Sequence, residues 1–325
     1  MKNWLVISTL LLFLPAISSA QNIKILDALT KEPVSFATIS FGNGNGTFAD
    51  SAGVFKYSEK IYADVDSLFI SSMGYSELGL LAAGVPATIY LIPATDQLET
   101  VIVNATLEGK FKERTLKPTY HDSYFNCWLP TVDSEIAVRF NRVDEQPTQI
   151  ATLQIPVVVE KSQVSKKGKL RAFSTLFRVL FYDVTTGGEP VKKSLYPNHT
   201  FIVNQETDEI YELNIEHLNI TIPKGGLFAA IQVLGYTNDK GALIDAKKYR
   251  EIKTRSGFTK VSTTYRPLLP FTETITERNT YVRRIFFNNR TWQIFNLSYN
   301  PNSALVRSGH DNYGLGATFK VFYRD

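Results

Sequence analysis

The chain has 325 residues, room for two ordinary domains and well past the size at which a single core becomes marginal. Apolar residues make up 44% and charged residues 20%, which excludes a disordered tail and a polytopic membrane protein. The lone cysteine, Cys127, excludes an intramolecular disulfide framework and any multi-cysteine metal site, and four histidines leave little for metal chemistry.

Lys2 precedes a short apolar run from Trp4 to Ala16, and Ser18-Ser19-Ala20 supplies the small residues that a signal peptidase reads. The run is shorter than the roughly 20 apolar residues of a bilayer span, so residues 1–20 are expected to be a cleaved signal peptide. Gln21 in place of a cysteine closes the lipoprotein route. No later stretch reads as a transmembrane helix. The mature protein is therefore expected in the periplasm, or at the cell surface or secreted, with at most a peripheral outer-membrane association.

Charge changes sign along the chain. Residues 21–103 carry four Lys and no Arg against nine Asp plus Glu, whereas residues 104–325 carry 30 basic and 22 acidic side chains. That reversal predicts two separately folding units.

The first unit, 21–103, reads as strands. Ile23 and Ile25 flank Lys24, and Phe36, Thr38 and Ser40 alternate with Ala37, Ile39 and Phe41, the period of a half-buried strand. Gly42-Asn43-Gly44-Asn45-Gly46 offers two Asn-Gly hairpin steps, and Asp50-Ser51-Ala52-Gly53 a second turn. Leu68-Phe69-Ile70-Ser71 and Ile89-Tyr90-Leu91-Ile92 read as central strands. About seven short strands in this span predict a small antiparallel sandwich.

These residues also resemble a known family. Ile25-Leu26-Asp27, Pro33 to Ile39, Gly46 to Phe55, Asp66 to Tyr75 and Ile89 to Pro93 follow, in order, the pattern of carboxypeptidase regulatory-like domains. So does the exit Leu98 to Val103. The resemblance implies a transthyretin-like, Ig-like sandwich over 23–103. It also implies an envelope protein of the Bacteroidetes, where such domains precede receptor plugs or other modules. About 220 residues remain after it, too few for a plug and a large barrel.

Residues 104–122 read as a linker, with the charged run Glu108 to Arg114 and the breaker Lys117-Pro118. From 123 to 325 strands return: Ile136 to Phe140, Ile155 to Val159, Phe177 to Val184, Phe201 to Val203, Tyr211 to Leu213, Ile220 to Pro223 and Phe228 to Val233. Thr291 to Phe295 and Ala317 to Tyr323 are expected to rejoin the same sheets. The order resembles the jelly-roll-like β-sandwich module that follows regulatory-like domains in Bacteroidetes proteins. The fold class expected is all-β throughout.

Catalytic constellations are missing from the sequence. His121, His199, His217 and His310 fall in no metal-ligand spacing, no Gly-x-Ser-x-Gly elbow occurs, and Cys127 sits beside Trp128 in apolar surroundings that fit a core cysteine. Asp64 and Asp66 lack the spaced oxygen ligands of a calcium loop and are expected to open a strand. No catalytic residue, metal or cofactor is assigned, and no enzyme activity is expected.

Two surface readings stand. Tyr249, Phe258, Tyr265, Trp292, Tyr299 and Tyr313 could form an aromatic platform for sugars, or simply fill core and loops. Lys247, Lys248, Tyr249, Arg250, Lys253 and Arg255, continued by Lys260 and Arg266, form a basic exposed loop or ribbon suited to anionic envelope glycans. The partners expected are an envelope protein or glycan, with no nucleic acid. The function read from the sequence is a non-enzymatic envelope protein with a binding or assembly role. The alternative is a carbohydrate-binding accessory module of a glycan-uptake or degradation system, and a small outer-membrane barrel from residues 123–325 ranks last.

Overall fold

A computed structural model describes residues 21–58, 62–94, 107–159, 172–244, 250–254, 257–261, 263–275, 277, 280–287 and 289–323, with backbone alone at 250–254 and 257–261. The chain is all β, and its strands stack as sandwiches. The expected signal peptide, 1–20, lies outside the described residues.

In the first module β1 (Gln21–Asp27), β2 (Thr38–Ser40), β3 (Gly46–Phe48), β4 (Val54–Tyr57), β5 (Ser67–Ser71), β6 (Leu78–Leu81) and β7 (Thr88–Leu91) form two sheets. Their orders are β4-β1-β7 and β3-β2-β5-β6. Ile23, Ile25, Phe55 and Leu91 from one sheet meet Ile39, Leu68 and Ile70 from the other in a shared core. Local pairing is antiparallel as expected, but β1 and β7 run parallel, with Ile25 beside Ile89. The chain reaches β7 only after crossing through β5 and β6 of the opposite sheet, so no hairpin sets its direction.

The end of β1 is tied down by Asp27. Its Oδ1 accepts the N–H groups of Leu29 at 2.6 Å and Thr30 at 2.9 Å, and its Oδ2 accepts the Tyr75 hydroxyl at 2.9 Å. The Thr30 N–H, with Leu29 and Tyr75, holds the carboxyl below its usual range against the opposing effect of burial. Burial and the carboxylate push Tyr75 up to about 12.

The second module contains β8 (Phe111–Leu116), β9 (Cys127–Trp128), β10 (Ser134–Phe140), β11 (Thr148–Pro156), β12 (Ser174–Asp183), β13 (His199–Asn204) and β14 (Ile210–Asn214). It continues with β15 (Thr221–Ile222), β16 (Leu227–Tyr236), β17 (Arg250–Thr254), β18 (Gly257–Val261), β19 (Leu269–Thr272), β20 (Thr280–Arg284) and β21 (Gln293–Ile294). A single helical turn, α1 (Ala304–Arg307), then precedes β22 (Asn312–Tyr313) and β23 (Gly316–Phe322). A six-stranded sheet, β13-β12-β16-β10-β20-β21, packs on a sheet ordered β14-β11-β23-β8, to which β15 adds beside β11. Phe177, Val179, Phe181 and Ile231 face Ile150, Leu153, Phe319 and Val321 across the core. Both sheets are open, with edge strands on each side, so the described residues of 123–325 do not close into the barrel ranked last from the sequence.

Two sequence expectations change here. Within the stretch read as a linker, Phe111–Leu116 is an edge strand paired with β23 along its whole length, Phe111 opposite Phe322. Its charged sequence, Lys112-Glu113-Arg114, conceals the strand, because every side chain of β8 is exposed and charge belongs on an edge. The basic segment is a hairpin, β17 on β18, but Arg266 is buried and does not join a surface cluster.

The modules meet along the Asn-Gly hairpin between β2 and β3. The Gly44 N–H and the Ser40 hydroxyl both donate to the Phe286 carbonyl, at 3.0 and 2.9 Å. Phe48 and Phe286 pack at 5.6 Å between ring centroids, inside an apolar cluster with Leu176, Leu234 and Ile285. A Cβ at Gly44 would fall 2.3 Å from the Phe287 ring. The glycine admits that ring, in addition to making the turn.

The second turn yields a test. Asp50 Oδ1 accepts N–H groups from Ala52 and Val54, both at 2.9 Å. Gly53 holds φ at +71°, where a Cβ would lie 2.6 Å from the Ile25 carbonyl oxygen. Gly53→Val should therefore destabilise by about 1–3 kcal/mol more than Ala52→Ser, measured by denaturant unfolding. Equal stabilities would show that the position is unstrained.

Candidate functional site between the modules

The six-stranded sheet buries both of its faces. One face forms the sandwich core; the other carries Ala137, Leu180, Phe228, Ala230 and Leu234 beneath the first module and the loop bearing Trp292. A strand covered on both faces should be apolar at every position. Four are not. Arg178 on β12 pairs with Gln232 on β16, Gln232 with Glu135 on β10, and Glu135 with Arg283 on β20. The result is one polar row crossing four strands at a single register.

The row is closely bonded. Arg178 donates to Gln232 Oε1 from Nε at 3.0 Å and from Nη2 at 2.5 Å, and from Nη1 to the Phe36 carbonyl of the first module at 3.1 Å. Arg283 donates from Nε to Glu135 Oε2 at 2.9 Å and from Nη2 to the Tyr182 hydroxyl at 2.7 Å. That hydroxyl in turn donates to Glu135 Oε1 at 2.6 Å. The Arg283 guanidinium lies 4.2 Å from the centre of the Trp292 ring, a cation–π contact, and Nη1 reaches the Lys192 carbonyl at 2.9 Å.

Burial lowers the Arg178 pKa, despite attraction from Tyr182 and Glu135. Burial also opposes the charge on Arg283, but Glu135 and Tyr182 together more than offset it and the shift is upward. Tyr182 is raised well above its usual value, chiefly by burial.

Above the row lies a cavity of about 430 Å³ with walls from both modules. Ser35, Thr38, Ser71, Ser72, Tyr75 and Glu77 come from the first; Lys192, Lys193, Asn198, Arg290 and Thr291 join the row from the second. Arg290 bridges the modules, donating from Nη1 to Glu77 Oε2 at 2.7 Å.

The sites read from sequence fall elsewhere. Lys247, Lys248, Tyr249 and Arg255 lie outside the described residues, as do the side chains of Arg250, Lys253, Phe258 and Lys260. Tyr265, Trp292 and Tyr313 are buried, so they cannot join the aromatic platform; among the described side chains of that set only Tyr299 is exposed. Tyr313 lies under Phe271, and Trp292 is capped by Arg283. Cys127 is buried and its thiol is pushed up to about 12 by its surroundings, chiefly desolvation, which holds it as the unreactive thiol at neutral pH.

The histidines, scattered in sequence, form two ring pairs. His121 and His310 lie 6.0 Å apart, His199 and His217 5.1 Å. Burial, then the neighbouring His217, lowers His199. Among the described residues no three metal-ligating side chains gather. Asp66 stands just before β5, as expected of a strand opening.

Sequence reading missed the row. Its signal was present: Arg178 interrupts Phe177 to Tyr182, and Gln232 interrupts Leu227 to Leu234, each a lone polar residue in an apolar run.

No protein-family model matches the chain, and no curated protein matches it. Two solved structures align with it, both at 10% identity and a TM-score of 0.32. One contains the cysteine protease and lectin-like domains of Cwp84, a surface layer associated protein of Clostridium difficile; the alignment covers 85% of this chain and 48% of that one. The other is a clostridial Cwp84 cysteine protease variant after propeptide cleavage, with 93% and 71% covered. The chain thus spans about half the length of the first. Similarity at this level fixes neither fold nor function. Among the described residues no helix is long and apolar enough to cross a membrane.

The two ion pairs of the cleft should differ sharply in worth. Glu135 is fully buried, so Glu135→Ala strands Arg283 and should cost about 3–5 kcal/mol. Glu77 is half exposed, and Glu77→Ala should cost about 0–1 kcal/mol. Urea unfolding of both variants decides; similar losses would refute the buried network.

Proposed function

We propose that the chain is an exported, non-enzymatic binding protein of a bacterial envelope, and that its ligand enters the cleft between the two sandwiches. The observation that carries this reading is the in-register row Arg178-Gln232-Glu135-Arg283. A sheet face under a docked module needs no charge for stability, and apolar residues of similar volume usually serve as well or better. The cavity lies within the roughly 300–1,000 Å³ typical of small-molecule sites. The two carboxylates lining it, Glu135 and Glu77, are each held by an arginine, which favours recognition over acid–base chemistry. Export and the envelope rest on the signal-like residues 1–20 and on the regulatory-like pattern of residues 23–103. A carbohydrate-binding accessory role is the second reading, favoured by the hydroxyl and amide groups of Ser71, Ser72, Asn198 and Thr291 around the cleft.

A plugged cleft tests this. The mature chain from Gln21 should give positive spots on an array of envelope glycans, and Ser72→Trp should remove them while leaving the melting temperature near that of the parent. Spots unaffected by the plug would place binding elsewhere on the molecule.

A further inference from the structure

We propose that the cleft binds the carboxylate of a sugar acid, with Arg178 as the seat of the anion. This rests on the reading of the cleft as a ligand site and names what enters it.

Five cations, Arg178, Lys192, Lys193, Arg283 and Arg290, line the cavity with only two carboxylates. Glu135 is committed to Arg283, and Glu77 to Arg290. Arg178 remains, 9% exposed, hydrogen-bonded to a neutral amide and a backbone carbonyl and 5.5 Å from the centre of the Phe48 ring, with no carboxylate among these partners. Gln232 stands between it and Glu135 in the row, so the nearest carboxylate is spent on the other arginine. A buried cation without a direct anionic partner is costly.

A guanidinium carries five N–H bonds. The hydrogen bonds of Arg178 use one on Nε, one on Nη1 and one on Nη2. One N–H on each Nη is left in the residue that lines the cavity floor. Two donors on a planar group suit a carboxylate. The row itself carries one net positive charge, which a monoanion balances.

Ser71, Ser72, Asn198 and Thr291 offer hydroxyl and amide partners for a hydroxylated body. The aromatic rings of the wall are the phenols of Tyr75 and Tyr182, whose hydroxyls are engaged by Asp27 and Glu135. Lys192 and Lys193 stand exposed at the cavity, where they attract an anion without selecting it.

The test is calorimetric titration of the mature chain at low salt. The probes are glucuronate- and galacturonate-terminated disaccharides, the methyl esters of both, and inorganic phosphate. At least one acid should bind, and its ester should bind at least about tenfold more weakly. Arg178→Gln should weaken the acid by at least about tenfold. Because Arg178 also reaches the first module, the double variant Lys192→Gln, Lys193→Gln gives an independent reading. It should melt with the parent and lose affinity only at low salt.

Ester and acid binding equally would remove the anion from the argument and leave the cleft as a site. Phosphate binding tighter than either acid would overturn the carboxylate. No binding by either acid would overturn the sugar acid. The cleft reading itself would still be judged by the effect of Ser72→Trp on the array.

Discussion

The constraint on which the structure turns is that the six-stranded sheet is covered on both faces, with the cleft above the polar row as the opening in its outer cover. Its inner face makes the sandwich core and its outer face lies under the first module and the Trp292 loop. Everything polar on that outer face must therefore find a partner inside the protein, since an unpaired buried charge costs several kcal/mol. Glu135 solves this with Arg283 and Tyr182. Arg178 solves it only in part, by reaching out of its own module to the Phe36 carbonyl. That bond makes one polar residue both the floor of the cleft and a tie between the modules.

Docking of the modules follows from the same geometry. The hairpin between β2 and β3 is short and rich in glycine, so its backbone can approach Phe286 and Phe287 closely. Phe48, with Phe36 beside it, then completes an apolar cluster whose other buried members belong to the second module. Apolar burial gives the docking its strength, while Gly44, Ser40 and Arg178 give it register through directional bonds. The charge balance of the sequence reverses at about residue 104. In space the acidic and basic units meet, and Arg290 on Glu77 is one point where they do.

What the sequence discloses is what local physics controls. Alternation at Ile23 and Ile25, the turn at Asp50 and Gly53, and the strands Phe177 to Tyr182 and Phe228 to Val233 depend on neighbours a few residues away. The parallel pairing of β1 and β7 is set by where the chain crosses between sheets, and no local pattern records that. β8 hides for another reason: an edge strand keeps charged residues on both faces, so it reads as a linker. The aromatic platform fails because composition counts rings without placing them, and Tyr265 and Tyr313 belong to the core. The polar row is legible one residue at a time, as lone interruptions of apolar runs. Its assembly is not, because its members come from four strands whose register is fixed only by the folded sheet.

Because the walls of the cleft come from both modules, occupancy and docking form one equilibrium. A ligand touching Ser71 or Ser72 on one side and Arg178 on the other binds only the docked arrangement, and so stabilises it by RT ln(1 + [L]/Kd). The linkage runs in both directions: a change that loosens the Phe48–Phe286 contact lowers apparent affinity without touching the ligand. Arg178 is where the two effects cannot be separated, since one guanidinium serves the seam through Nη1 and the cavity through its remaining donors. Lys192 and Lys193 touch only the cleft, and Gly44 only the seam. Between them these positions allow recognition and docking to be perturbed one at a time.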